Sequence, residues 1–157
     1  RYKAQESMNA IVKKNLTPDE EDAVLSILED SFGCEVSSDS FLSSVVSSIW
    51  VENSKSVLCG VALIESQLNQ NYLSKFAVRP EMRGDGIAKL MWESLCESYS
   101  SFFWRAKSEN PFSTWYERHA DGCIHNEKWS IFWHGIEGKQ INDIVNYAEM
   151  RPMDFIY

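Results

Sequence analysis

Between an apolar stretch ending at Val78 and a helix-forming stretch beginning near Gly86, the chain reads Arg83-Gly84-Asp85-Gly86-Ile87-Ala88. Strand, glycine loop and helix in that order set a helix N-terminus beside the end of a strand. Unpaired backbone N–H groups and the positive end of the helix dipole meet there. Glycines let an anion, and a pyrophosphate in particular, approach the main chain. The alternative is that Gly84 and Gly86 serve only a tight turn. The loop is not a Walker loop, since no Gly-Lys-Ser/Thr follows. It is not a dinucleotide fingerprint either, since the three-glycine spacing is missing.

The flanking segments predict an α/β (α+β) domain with a mixed sheet and helices on its faces. Ile11 and Val12 mark a first strand, and Thr17-Pro18-Asp19-Glu20 reads as a capping box opening a helix that Gly33 stops. Phe41, Leu42, Val45 and Val46 predict a second, short helix. Ile49 to Glu52 and Val57 to Glu65 form a hairpin about the turn Asn53-Ser54-Lys55-Ser56. Strands follow from Tyr72 to Val78, Phe102 to Ala106 and Trp129 to Trp133. Helices follow from Ile87 to Tyr99, from Phe112 to His119 and around Ile141 to Ala148.

With 157 residues and 44% apolar composition, the chain holds one core and reads as one domain, 1–157. Beginning at Arg1 and lacking an apolar run of the roughly 20 residues that span a bilayer, it reads as a soluble piece of a longer polypeptide without a membrane partner. The net charge of −8 excludes nucleic acid as a partner, because phosphate neutralisation needs an extended basic face. Cys34, Cys59, Cys96 and Cys123 show no C-x-x-C spacing, so reduced intracellular thiols are expected. No pair of His, Cys or Asp has metal-ligand spacing, and no metal is expected.

Arg83, Gly86 and Ala88 resemble the R/Q-x-x-G-x-G/A signature of the GNAT superfamily of acetyl-CoA-dependent N-acetyltransferases. That resemblance implies a sheet whose central strands splay to admit acetyl-CoA, with a bulge in the strand before the loop. It assigns the cofactor to Phe76, Ala77, Val78, Arg83, Gly84, Asp85, Gly86, Ile87, Ala88 and Asn110. It makes Tyr116, at the spacing where superfamily members place an acid for the departing thiolate, a catalytic residue together with Asn110. By itself, Tyr116 would read as a packed aromatic in a tryptophan-rich region.

A longer match, through Tyr72-Leu73-Ser74-Lys75-Phe76-Ala77-Val78, Leu90 to Leu95, Phe103 to Lys107, Asn110-Pro111, Trp115-Tyr116, His119, Asp121-Gly122 and Trp129 to Gly135, resembles the acetyltransferase domain of animal and fungal N-acetylglutamate synthases. It covers the second half to two-thirds of the chain. It implies transfer of acetyl to the α-amine of L-glutamate, giving N-acetylglutamate, with Lys75, Arg105 and Lys107 holding the carboxylates. Arg105 and Lys107, two apart on a strand, share a face. The family commonly has arginine where Lys107 stands, and lysine lacks the bidentate contact. The general base is left among His119, His125, His134, the glutamates and a water relay. The resemblance also implies a neighbouring amino-acid-kinase domain, a homo-oligomer and the mitochondrial matrix. The similar domain of fungal acetylglutamate kinases makes a catalytically weak regulatory module the alternative, and a GNAT enzyme for another amine a further one. Exposed tryptophans, if any of the six are exposed, would mark an interface.

Overall fold

The computed structural model describes residues 8–33, 35–36, 39–84 and 86–154. Strand β1 (Asn9–Lys13) leads into helix α1 (Pro18–Phe32) through the capping box: Glu20 N–H donates to Thr17 Oγ1 at 3.2 Å and Thr17 N–H to Glu20 Oε1 at 2.9 Å. Gly33 closes the helix in the left-handed region, its N–H on the Glu29 carbonyl. Strands β2 (Val45–Glu52), β3 (Leu58–Gln67) and β4 (Gln70–Val78) form an antiparallel meander. Asn53 shapes its first turn by accepting from the N–H groups of Lys55 and Val57. The second is a two-residue turn in which Leu68 and Asn69 both have φ 56°.

Helix α2 (Ile87–Ser98) returns the chain to β5 (Phe102–Lys107); α3 (Ser113–His119), β6 (Gly122–His125), β7 (Trp129–His134) and α4 (Gly138–Met150) follow. The seven strands lie in the order β1-β2-β3-β4-β5-β7-β6, and only β4 and β5 run parallel. Helices α2 and α3 cover one face with Ile49, Phe76, Phe102, Trp104 and Phe132. On the other, α1 packs on Trp50, Val61, Leu63 and Ala77, and α4 on Tyr72, Phe103 and Ile131. The fold is therefore the mixed α/β sheet flanked by helices that the sequence predicts.

Two elements depart from the sequence pattern. The predicted helix over Phe41 to Val46 is a 3-10 turn, Asp39–Ser44, and Val45 already belongs to β2, in keeping with its β-branched side chain. Strand β6, which periodicity does not announce in four residues, pairs with β7 at the sheet edge. None of the six tryptophans is exposed; Trp50, Trp92, Trp104 and Trp129 are buried, so they build the core and mark no interface.

Helix α2 lies so close to β3 that a Cβ at Gly60 would stand 2.6 Å from Met91 Sδ and 2.8 Å from Ile87 Cγ2. Gly60→Val is expected to destabilise the domain by roughly 1–3 kcal/mol through overpacking, measured by urea denaturation.

Candidate active site

Strands β4 and β5 are paired at one position, Tyr72 with Phe103, and diverge beyond it. Opposite Leu63 and Ile64 of β3, β4 carries a bulge at Ser74, so Leu73 and Lys75 pair with consecutive residues. The bulge turns Lys75 to the α1/α4 face, against the ring of Phe41, while Leu73 and Phe76 pack on the α2 face. A cavity of about 780 Å³ fills the gap between the strands and is open to both faces of the sheet.

One end of the cavity is the glycine loop. Gly84 and Gly86 have φ of 95° and 79°, values an L side chain disfavours, and Gly86 occupies the cap position of α2 with no side chain to cover the first N–H groups. Gly84, Gly86, Ile87 and Ala88, which the resemblance assigns to the cofactor, line the cavity with Phe76 and Val78. Arg83 also lines it, with Nη2 donating to Ser31 O at 2.7 Å and Ser31 Oγ at 3.0 Å, which ties the loop to the end of α1. Lys89 adds a cation the motif does not announce. Asp85 lies outside the described residues. Ala77 faces α1 and is not among the cavity-lining residues.

On the α2/α3 face, Asn110 and Tyr116 both reach the cavity. Asn110 Oδ1 accepts from Phe112 N–H at 2.8 Å, opening α3. Tyr116 is 5% exposed, packed among Phe76, Trp104, Phe112 and Phe132. Burial pushes its phenol well above the usual range, so at neutral pH it carries its proton. Phe112 and Trp115, stacked at 5.0 Å, complete an aromatic wall readable from the i, i+3, i+4 spacing of α3.

Lys75, Arg105 and Lys107 stand on the opposite face and line the same cavity. The segment after α4 crosses in front of them. Arg105 donates to the carbonyls of Ala148 and Arg151 at 2.7 Å and of Pro152 at 2.8 Å, and its guanidinium lies 3.8 Å from the centre of the Trp129 ring. Lys75, 7% exposed, meets Asp154 Oδ2 at 2.6 Å; burial lowers its pKa and the Asp154 charge opposes that shift. Lys107, near the rim, is 3.7 Å from Glu109. The segment is locked by Arg151, which donates to both oxygens of the fully buried Glu65 at 2.9 and 2.7 Å and to Tyr147 Oη at 2.7 Å. No sequence spacing joins Glu65 to Arg151, 86 residues apart.

The carboxylates lining the cavity among the described residues are Glu109 and Asp154; none of the three histidines lines it. His119 stacks on Trp115 at 4.0 Å and its Nδ1 meets the Trp115 carbonyl, while His134 packs against Phe102 and Trp92. His125 is paired to Glu117 on the outside of α3.

Residues 4–151 match the family described as NAT, the N-acetyltransferase of N-acetylglutamate synthase. The chain is 29% identical over 147 residues to the mitochondrial N-acetylglutamate synthase of Mus musculus, with 90% of this chain and 28% of that protein covered. It is 32% identical over 131 residues to the acetylglutamate kinase of Xanthomonas campestris pv. campestris, with 80% of this chain and 30% of that protein covered. It thus spans less than a third of either relative. In structure it is similar to the ribosomal-protein-S18-alanine N-acetyltransferase of Escherichia coli (TM-score 0.62, 13% identity, 83% of this chain and 97% of that one). It is similar also to the PaiA N-acetyltransferase of Thermoplasma acidophilum solved with coenzyme A (TM-score 0.62, 11% identity, 80% and 98%).

The Glu65–Arg151 lock can be tested apart from any activity. Arg151→Met strands a buried carboxylate and is expected to cost about 3–5 kcal/mol, whereas Glu65→Leu/Arg151→Met is expected to recover most of that loss. Urea unfolding of the wild type, the two single variants and the double variant measures both.

Proposed function

The chain belongs to the N-acetyltransferase family of N-acetylglutamate synthase, and from that premise we propose that it moves the acetyl group of acetyl-CoA to the α-amine of L-glutamate, giving N-acetylglutamate and CoA. The observation that carries this reading is one cavity joining three things across the sheet: a glycine-lined helix N-terminus, a buried phenol and a cluster of cations.

The residues fit an acyl-CoA. Gly84, Gly86 and the first turn of α2 suit a pyrophosphate, with Arg83 and Lys89 beside them, and the edge of β4 at Phe76 and Val78 faces the gap where β5 has diverged. Acetyl-CoA supplies an acyl carbon activated as a thioester. Tyr116, held protonated by its apolar surroundings, donates to the sulfur as the carbon–sulfur bond breaks. Asn110 stands just ahead of α3, where its Oδ1 accepts from Phe112 N–H, and orients the acyl arm. The amine's proton leaves toward a carboxylate of the cavity, Asp154 or Glu109, or through water. On the acceptor face Lys107 and Arg105 attract the substrate carboxylates, and Lys75 shares its charge between Asp154 and the ligand.

A second reading, a regulatory module beside an amino-acid-kinase domain, is favoured by one observation: Lys75 and Arg105 are already bonded to the chain's own segment 148–154. The names of the relatives support both readings, the mouse protein being a synthase and the Xanthomonas protein a kinase. In the synthase reading the module works in the mitochondrial matrix, beside a kinase-like domain and within a homo-oligomer. The mitochondrial name of the mouse relative supports the location. Among the described residues no helix is long and apolar enough to cross a membrane.

CoA release with acetyl-CoA and L-glutamate, against glutamine and aspartate, is the test. Glutamate-selective turnover is expected; binding of acetyl-CoA without turnover would favour the regulatory module, and preference for a different amine would name another acceptor. Tyr116→Phe is expected to lower kcat about 100-fold or more with little change in the KM for glutamate. Lys107→Arg, which restores a forked donor, is expected to lower that KM several-fold, roughly the difference between a point charge and a bidentate contact.

A further inference from the structure

On the outer side of α3, away from the cavity, Glu117, Cys123 and His125 bring a carboxylate oxygen, a sulfur and an imidazole nitrogen within 4.8 Å of one another. Cys123 and His125 are two apart on the edge strand β6 and so present one face to α3, where Glu117 follows Tyr116. His125 Nε2 stands 2.7 Å from Glu117 Oε1 and 3.6 Å from Cys123 Sγ. The strand spacing sets Cys123 beside His125, and packing of α3 on β6 brings the Glu117 carboxylate to the same nitrogen, so three donors of different chemistry converge on one point. Such a convergence is the arrangement a bound cation uses.

We propose that Glu117, Cys123 and His125 form a site for a divalent transition metal, of which Zn²⁺ suits the ligand set best. Mixed nitrogen, sulfur and oxygen donors at a tetrahedral centre are the preference of that ion. With metal–ligand bonds of roughly 2.0–2.3 Å, tetrahedral ligands lie about 3.3–3.7 Å apart. The Cys123–His125 separation already meets that distance. The Glu117–His125 separation needs to open by about half an ångström, which the half-exposed Glu117 side chain can do. The other ring nitrogen, Nδ1, lies 2.7 Å from the hydroxyl of Ser130, which is 1% exposed on β7. This is the outer contact that fixes a ligating imidazole and aims its second nitrogen at the metal. Because Glu117 and His125 are about half exposed, solvent reaches the fourth position.

The site joins α3 to the sheet edge. Helix α3 has seven residues and no side-chain cap, and its inner face carries Tyr116 into the cavity. A bound ion would hold the outer face of that turn against β6, and its presence does not depend on which amine the cavity accepts. Neither ligand pair has a familiar sequence spacing: Cys123-x-His125 acquires meaning only once β6 is a strand and α3 packs beside it.

The test is a Co²⁺ titration of the chelator-stripped, reduced 157-residue chain, followed by displacement with Zn²⁺. Expected are the intense ligand-field bands of a four-coordinate site together with a thiolate-to-cobalt charge-transfer band, both abolished by Zn²⁺. Cys123→Ser should lose the charge-transfer band, and Ser130→Ala should weaken Zn²⁺ binding about 10–100-fold. Zn²⁺ should also raise the thermal midpoint of the wild type but not of Glu117→Gln or His125→Gln, whose exposed positions leave the fold intact. Weak six-coordinate bands, a charge-transfer band that survives Cys123→Ser and therefore comes from another cysteine, or no Zn²⁺ binding would each overturn the proposal.

Discussion

The parting of β4 from β5 is the constraint on which the rest of this molecule rests. Antiparallel neighbours on either side are paired along their length, yet these two share a single register position, Tyr72 with Phe103. Beyond that point β4 and β5 do not pair with each other, and a buried backbone polar group without a partner costs about 1–3 kcal/mol. The bulge at Ser74, the short parallel contact and the return through α2 all follow from opening the sheet there. One gap thereby connects a surface suited to phosphates on one side with a surface suited to carboxylates on the other.

The chain is acidic as a whole, and its basic groups at this gap work against that background. Three of them are steadied by the protein. Arg83 is anchored to Ser31, Arg105 to three carbonyls and Lys75 to Asp154. Cations held this way keep their positions without a ligand, so little side-chain entropy is lost when an anion arrives. The cost is competition: a carboxylate approaching Lys75 meets one already bound.

Much of this was legible in the sequence because it is local. Arg83 to Ala88 carry their turn chemistry in adjacent residues, and the Thr17–Glu20 box and Gly33 delimit α1 by the same kind of short-range signal. Lys75, Arg105 and Lys107 share one face, although for Lys75 this depends on a bulge that no single residue type announces. Illegible were the contacts made by distant segments. Asp154 in the cavity, Arg151 on Glu65 and the apposition of Glu117 with β6 arise from how α3, α4 and the sheet pack, and their sequence separations obey no period. Val45 and Val46 misled because an apolar pair suits either a helix face or the start of a buried strand, and the neighbouring strand β3 decides between them.

The buried pair of Glu65 and Arg151 bears on how such a domain can change over generations. Replacing either residue alone passes through a protein with one uncompensated charge in its interior, a state selection removes. The two positions are therefore expected to change together, a lineage dropping the lock by exchanging both or by first gaining stability elsewhere. Descendants of this chain should therefore vary at 65 and 151 in concert, even while the residues between them drift independently.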